Sequence, residues 1–287
     1  MTKSVSTKSA SKEWALILGA SSGFGADTSI ELARNGMNIF GVHFDRAATM
    51  PQVNGIMQKI KDSGASAVFF NINAADEQSR EETVEEVQRT LEQSPGSYIR
   101  VIMHSLAFGS LGPYFGKSPA ESLNQRQVEM TLDVMASSLV YWVQGIYFKN
   151  LMRRGSRIFA MTSSGGHSVL PNYGAVSAAK AALESHIRQI AMELGPYGIT
   201  ANSIMAGVTD TPAMRKIPNS QQMLEIALKK NPTGRPTSPE DVAKAIALLC
   251  DDRASFISGV RIGVDGGEDI VNYIGQSSPH DLGDGHS

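Results

Sequence analysis

An alternation constrains this chain more than any other feature. Seven short apolar runs punctuate its 287 residues, and helical patterns lie between them. The runs are 14–18 (WALIL), 38–44 (NIFGVHF), 67–72 (AVFFNI), 99–105 (IRVIMHS), 157–163 (RIFAMTS), 199–205 (ITANSIM) and 259–267 (GVRIGVDGG). Runs this short and this apolar suit strands buried on both faces, and the helices between them supply the crossovers that parallel strands require. Helices are expected at 24–35, 51–63, up to Gln93, at 123–152, from Tyr173 to Leu194, at 221–230, and after a Ser238 N-cap with Pro239 in the first turn. The pattern predicts an α/β, doubly wound sheet of seven parallel strands with helices on both faces. No linker or internal repeat divides it, so one domain is expected over 13–274, between flexible tails at 1–12 and 275–287.

Composition narrows the partners. A hydrophobic fraction of 41% gives ample core, and a net charge of −2 provides no basic field, so nucleic acid is not an expected partner. The lone cysteine, Cys250, lies in an apolar run and reads as a small buried hydrophobe. No apolar run is long enough for a membrane span, and the N-terminal stretch lacks the apolar region of a secretory signal. The expected location is cytoplasmic. No His, Cys or carboxylate spacing suggests a metal site.

The stretch GASSGFG follows the first run directly and places Gly19, Gly23 and Gly25 between a strand and its helix. Free N–H groups and the helix dipole at such a turn suit a pyrophosphate, and absent Cβ atoms let the backbone approach it. Nucleotide binding is therefore expected of Gly19, Ser21, Ser22, Gly23, Phe24 and Gly25 on a Rossmann-type sheet.

A second stretch, YGAVSAAK (173–180), opens the helix after the fifth run. Tyr173 and Lys180 stand seven residues apart, which brings them to nearly one helix face. A phenol and an ammonium so placed can address one ligand between them. Taken alone, such a pair is more often packing and solvation than chemistry.

Together these motifs resemble the short-chain dehydrogenase/reductase family over about residues 13–267. Asn71-Ile72 stands where that family holds adenine, Ser163 ends the fifth run, and VDGG (264–267) lies near the C-terminus. The departures say more than the matches. The family's usual tyrosine, four residues before the lysine, is replaced by Val176, which has no proton to give. Its Asn-Ala-Gly after the fourth strand is replaced by HSLAFG (104–109). Both departures resemble one branch, the enoyl-acyl-carrier-protein reductases, which carry Tyr, six residues, Lys and a His-Ser pair after the fourth strand. AGVTDT (206–211) resembles that branch's substrate-loop entry, whereas Ser163 stands where many members have a second Tyr.

The resemblance implies a catalytic set of Tyr173, Lys180 and Ser163. It implies cofactor contacts at the glycine turn, His43, Arg46, Asn71, Ile72, Ser105, Leu106, Lys180, Gly207, Thr209 and Thr211. Ala107, Phe108, Tyr173, Met214 and Ile217 would meet an acyl chain. The implied partners are an acyl-carrier-protein or CoA thioester and further copies of the chain, as a homotetramer packed through the long helix. At the end of the second strand the usual acidic position holds His43, followed by Phe44, Asp45 and Arg46. Arg46 would attract a 2′-phosphate and Asp45 would repel it, and the reading leans to NADPH over NADH. His104 reads as a satisfied polar residue beside the cofactor and His167 as part of a Gly-rich turn. Three alternatives stay open: a reductase of 2,4-dienoyl-CoA or other activated unsaturated carbonyls, a ketoacyl reductase (disfavoured by Val176), and a nucleotide-binding redox sensor without catalysis.

Overall fold

The computed structural model describes residues 11–272; the C-terminal tail expected at 275–287 and most of the N-terminal one lie outside them. Seven strands form one sheet: β1 (Glu13–Leu18), β2 (Asn38–His43), β3 (Ala67–Asn71), β4 (Tyr98–His104), β5 (Met152–Thr162), β6 (Thr200–Ala206) and β7 (Arg261–Val264). Their order is β3-β2-β1-β4-β5-β6-β7, and every pairing is parallel. The order reverses between β1 and β4. In a doubly wound sheet that reversal opens a crevice at the carboxyl ends of the strands.

Among the described residues eight α-helices surround the sheet: α1 (Gly23–Arg34), α2 (Met50–Asp62), α3 (Glu77–Glu92), α4 (Gln125–Leu132), α5 (Ser138–Phe148), α6 (Gly174–Leu194), α7 (Ser220–Lys230) and α8 (Pro239–Leu249). Alternate residues of β1 divide the core. Leu16 and Leu18 join the apolar residues of α3, α5 and α6, whereas Ala15 and Ile17 join those of α1, α2 and α8. Each strand is thus buried on both sides, as its unbroken apolar run requires. Local chemistry sets the helix starts. The Asp76 carboxylate accepts from the Ser79 amide at 2.8 Å, and Ser238 and Asp241 cap each other's backbone at α8, with Pro239 next in the chain.

Four expectations need correction. The helix expected over 123–152 is two helices joined by a π-helical segment, Asp133–Ser137, and it stops at Phe148. A widened turn confined to five residues is too local to stand out in an apolar pattern read over the whole stretch. β5 starts at Met152 rather than 157, because Ile99 pairs with Met152 and next Val101 with Arg157. The residues between, with charged Arg153 and Arg154 and a Gly155 at φ +93°, hide that start. β7 is shorter than the run 259–267. Ser11 and Lys12, placed in the tail, are tied down: the Ser11 carbonyl accepts from the Asn38 amide at 2.9 Å, and the Lys12 ammonium donates to Ser94 at 2.7 Å.

Trp142 on α5 fastens the helix layer to the chain after β3. It is fully buried, and its indole N–H donates to the Ala74 carbonyl at 2.8 Å. Trp142→Phe removes that donor and leaves a buried carbonyl unpaired, so it should cost about 1–3 kcal/mol, read as a lower urea midpoint with unchanged slope.

Candidate active site

The sequence-predicted residues come from distant parts of the chain, yet most follow the carboxyl end of a strand. Gly19 follows β1, His43 and Asn71 end β2 and β3, Ser105 follows β4, Ser163 follows β5 and Gly207 follows β6. All therefore lie at the carboxyl edge of the sheet, the edge on which that crevice opens.

At the glycine turn the backbone needs glycine for defined reasons. Gly19 has φ +92°, and a Cβ there would lie 2.6 Å from the Ser105 carbonyl oxygen. A Cβ on Gly25 would collide with the carbonyl of Gly19, so this glycine lets α1 pack onto the turn. Gly23, at φ +52°, would meet the Thr211 methyl at 3.3 Å, which places the 206–217 segment against the turn. The α1 N-cap, Ser22, makes no side-chain cap, and no acidic residue occupies the first helical turn. Its first amides are thus open to an anion. Phe24 turns inward and packs with the core on that face.

Under β5 lies a buried cation. Lys180 is 6% exposed, and its ammonium donates to the Met161 carbonyl at 2.7 Å. Burial pushes its pKa down to about 8, while the Glu184 carboxylate works in the opposite direction. Two of its three N–H donors remain for a ligand. His104 closes the other side. It is fully buried, which together with the Lys180 charge pushes it down to about 3, so it is neutral. Its Nε2 lies 2.9 Å from the Ser138 hydroxyl, which itself donates to the Val134 carbonyl at 2.8 Å. Nε2 therefore carries the proton, and Nδ1 is left buried without a partner. The π-helical segment supplies that carbonyl.

Tyr173 is the N-cap of α6 rather than its first helical residue, and its carbonyl accepts the Ser177 amide at 2.8 Å. Its ring packs on Gly165, where a Cβ would lie 2.5 Å from ring atom Cε1. Burial raises the phenol above its ordinary pKa, partly offset by the neighbouring Ser163 hydroxyl. No hydrogen bond of ordinary geometry joins the two, and Ser163 Oγ is buried with no partner. Val176 is buried against Gly109 beside Thr131 and Met135, a core position. The site thus offers a protonated phenol, a spare hydroxyl, a cation with two free donors and an anion-binding turn. These fit a nicotinamide dinucleotide.

A family model described as Enoyl-(Acyl carrier protein) reductase matches residues 19–268. An enoyl-[acyl-carrier-protein] reductase [NADH] of Aquifex aeolicus (strain VF5) is 29% identical over 198 residues, 69% of this chain and 72% of that protein. A crystal structure of enoyl-[acyl-carrier-protein] reductase (NADH) from Aquifex aeolicus VF5 aligns with a TM-score of 0.76 at 25% identity, covering 91% of this chain and 98% of that one. The chain is a short-chain dehydrogenase/reductase. It is thus an oxidoreductase with a nicotinamide cofactor. A 3-oxoacyl-[acyl-carrier-protein] reductase of Pseudomonas aeruginosa is also similar, at 27% identity over 88% of this chain and 96% of that protein. Membership therefore spans alkene and ketone substrates, and the substrate class rests on the site.

Other predicted residues of this oxidoreductase take more particular places. His43 is buried and turns to Asp45, Nδ1 to Oδ2 3.1 Å, so it positions the carboxylate rather than facing a ligand. The Asn71 side chain accepts the Asp45 amide and donates to the Asp45 carbonyl, both at 2.9 Å. That clamp joins the ends of β2 and β3. Ile72 and Leu106 pack against the core. Ala107 and Phe108 are exposed, Thr209, Thr211 and Met214 are buried, and Gly207 and Ile217 are half-buried. Sequence reasoning missed Asp45 as the pinned group, Tyr114, whose ring lies over Gly174, and the Thr162–Glu184 pair behind Lys180. A cavity of about 480 Å³ lies between the 231–237 loop and the 263–267 turn, away from Tyr173 and Lys180. Among the described residues no helix is long and apolar enough to cross a membrane, and no metal-binding cluster occurs.

Lys180 loses its charge as pH rises through about 8, while Tyr173, raised, keeps its proton beyond that point. The free enzyme's kcat/KM should therefore fall on an alkaline limb near pH 8, measured by a rate profile in buffers of constant ionic strength.

Proposed function

We propose that this reductase reduces the carbon–carbon double bond of a trans-2-enoyl thioester, carried on acyl carrier protein or CoA, in fatty-acid synthesis. The observation that carries the reading is the position of a phenol against Gly165 and Ser163, seven residues before Lys180. It comes from Tyr173 at the N-cap of α6, with Val176 turned into the core. In a ketone the oxygen is bonded to the carbon that accepts hydride. In an enoyl thioester hydride reaches the β-carbon, and the oxygen that gains charge lies two carbons further along. A donor moved from four to seven residues before the lysine shifts by roughly 4.5 Å along the helix, which matches that displacement.

The cofactor when bound supplies a hydride. Lys180 would hold the ribose hydroxyls with its two remaining donors and add positive potential. Tyr173 would donate a hydrogen bond to the thioester oxygen and stabilise the enolate. Ser163, with its hydroxyl unspent, would be a second donor to the same region. Ala107, Phe108, Met214 and Ile217 would receive the acyl chain. A homotetramer through α4 and α5 belongs to the same reading by family resemblance. Tyr173→Phe should lower turnover at least tenfold, a loss of roughly 1.4 kcal/mol of barrier stabilisation, measured as NAD(P)H consumption with crotonyl-CoA. Native activity with acetoacetyl-CoA alone would instead make this a ketoacyl reductase.

For the cofactor we favour NADH over the NADPH that Arg46 suggested. Burial would raise the Asp45 carboxyl, but hydrogen bonds from Ser21, Thr49 and His43 hold it below its ordinary value. A carboxylate is therefore fixed beside the glycine turn, where it accepts a ribose hydroxyl and repels a phosphate, while Arg46 is exposed. The Aquifex aeolicus relative is likewise described with NADH. Native kcat/KM should be at least tenfold higher with NADH, and Asp45→Asn should narrow the ratio. A native preference for NADPH refutes this assignment.

A further inference from the structure

The end of β5 does more than present one carbonyl to Lys180. Met161 accepts from the ammonium through its carbonyl, and the next residue, Thr162, donates its hydroxyl to Glu184 Oε1 at 2.7 Å. Thr162 is 5% exposed and Glu184 is half-buried, so this hydrogen bond is partly sheltered from water. Glu184 stands one helical turn after Lys180 on α6, the spacing at which side chains become neighbours. Gly166 completes the enclosure. A Cβ there would lie 3.1 Å from Glu184 Oε1 and 3.6 Å from both Lys180 Cβ and Thr162 Oγ1. The loop backbone therefore lies close over the carboxylate and the root of the lysine side chain.

We infer that Glu184 is a positioning residue for the reaction: held by Thr162 against the strand end, it keeps Lys180 charged and aimed at the crevice. Its carboxylate does not reach substrate or cofactor in this role and acts through the lysine alone. The inference rests on the reading of Lys180 as the cofactor-holding group of a short-chain reductase, but not on the enoyl substrate.

Electrostatics make the need plain. A buried ammonium loses hydration that one carbonyl does not replace. The titratable groups facing Lys180 are Glu184 from its own helix and His104 from β4. His104 is neutral and contributes no negative charge, and Tyr173, raised by burial, stays a neutral phenol. Among the described residues Glu184 is thus the anion that offsets desolvation of the lysine. Removing its charge lowers the Lys180 pKa, so the neutral amine appears at lower pH. A neutral amine adds no positive potential and has one donor fewer.

The test uses the full chain with Glu184→Gln and, separately, Thr162→Val. Lys180 is followed directly by the ¹³Cε resonance of labelled lysine, assigned through Lys180→Arg, as pH is raised on the free protein. In parallel, kcat/KM with crotonyl-CoA is profiled against pH. In E184Q the Lys180 titration should move to lower pH. At pH 8 kcat/KM should fall at least about threefold, against less than about twofold at pH 6.5. T162V should shift both in the same direction by less. A merely structural role would lower the melting temperature and leave the titration in place. An unchanged Lys180 titration in either folded variant overturns the inference; should E184Q fail to fold, T162V alone decides. Absence of native activity with crotonyl-CoA would refute the enoyl reading, while the resonance titration would still decide the role of Glu184.

Discussion

A lysine ammonium taken out of water governs this architecture. Burying a charge costs several kcal/mol unless the surroundings replace its hydration. Here the replacement is assembled from three elements: a carbonyl from β5, a carboxylate from α6 and a neutral imidazole from β4 that adds no repulsion. The imidazole must itself be held neutral and oriented. Burial and the Lys180 charge keep it neutral, and Ser138, whose hydroxyl finds its acceptor in the carbonyl of Val134 inside the π-helical segment, orients it. The irregular turn between α4 and α5 is thus tied to the charge on α6 through β4. Regular α-helix through the same residues would place that carbonyl elsewhere.

The same strand end fixes the phenol. Ser163 leaves β5 extended, and the short turn after it brings Gly165 beneath the Tyr173 ring. The Ser177 hydroxyl donates to the Gly165 carbonyl and pins this turn to the helix it precedes. The donor and the cation are thereby referred to one piece of backbone, residues 161–165. This is the arrangement that a site needs when sub-ångström placement matters, because neither group depends on a mobile loop.

The sheet was legible because its strands are buried on both faces and leave unbroken apolar runs. The glycine turn was legible because positive φ and close approach leave no alternative residue at Gly19 and Gly25. What escaped is of another kind. β5 begins among Arg153, Arg154 and Gly155, where backbone pairing continues through residues that do not look like a strand. The π-helical segment is a one-residue adjustment that apolar periodicity absorbs. The partners of His43 and Asn71 were hidden too: both side chains turn to Asp45. A single sequence shows which residue types lie near one another at a strand end, but not which of several polar neighbours will satisfy which. Thr162 and Glu184 lie 22 residues apart and carry no local pattern, so only the fold could pair them.

The N-cap position of Tyr173 has a consequence under the enoyl reading that a position inside the helix would lack. The α6 helix runs for 21 residues, and its first turn contains no acidic residue to offset the positive end of its dipole. Tyr173 makes no side-chain cap, and its ring packs instead on Gly165 beside Ser163. An enolate oxygen meeting that phenol would sit by the helix start, where partial positive charge is concentrated. Lys180 two turns further in would add a full positive charge from the same direction. Moving the donor back along the helix therefore does more than match the length of a conjugated system. It also carries the developing negative charge towards the end of the helix best able to stabilise it, whereas a donor at position 176 would lie inside the first turn, where Val176 packs in the core.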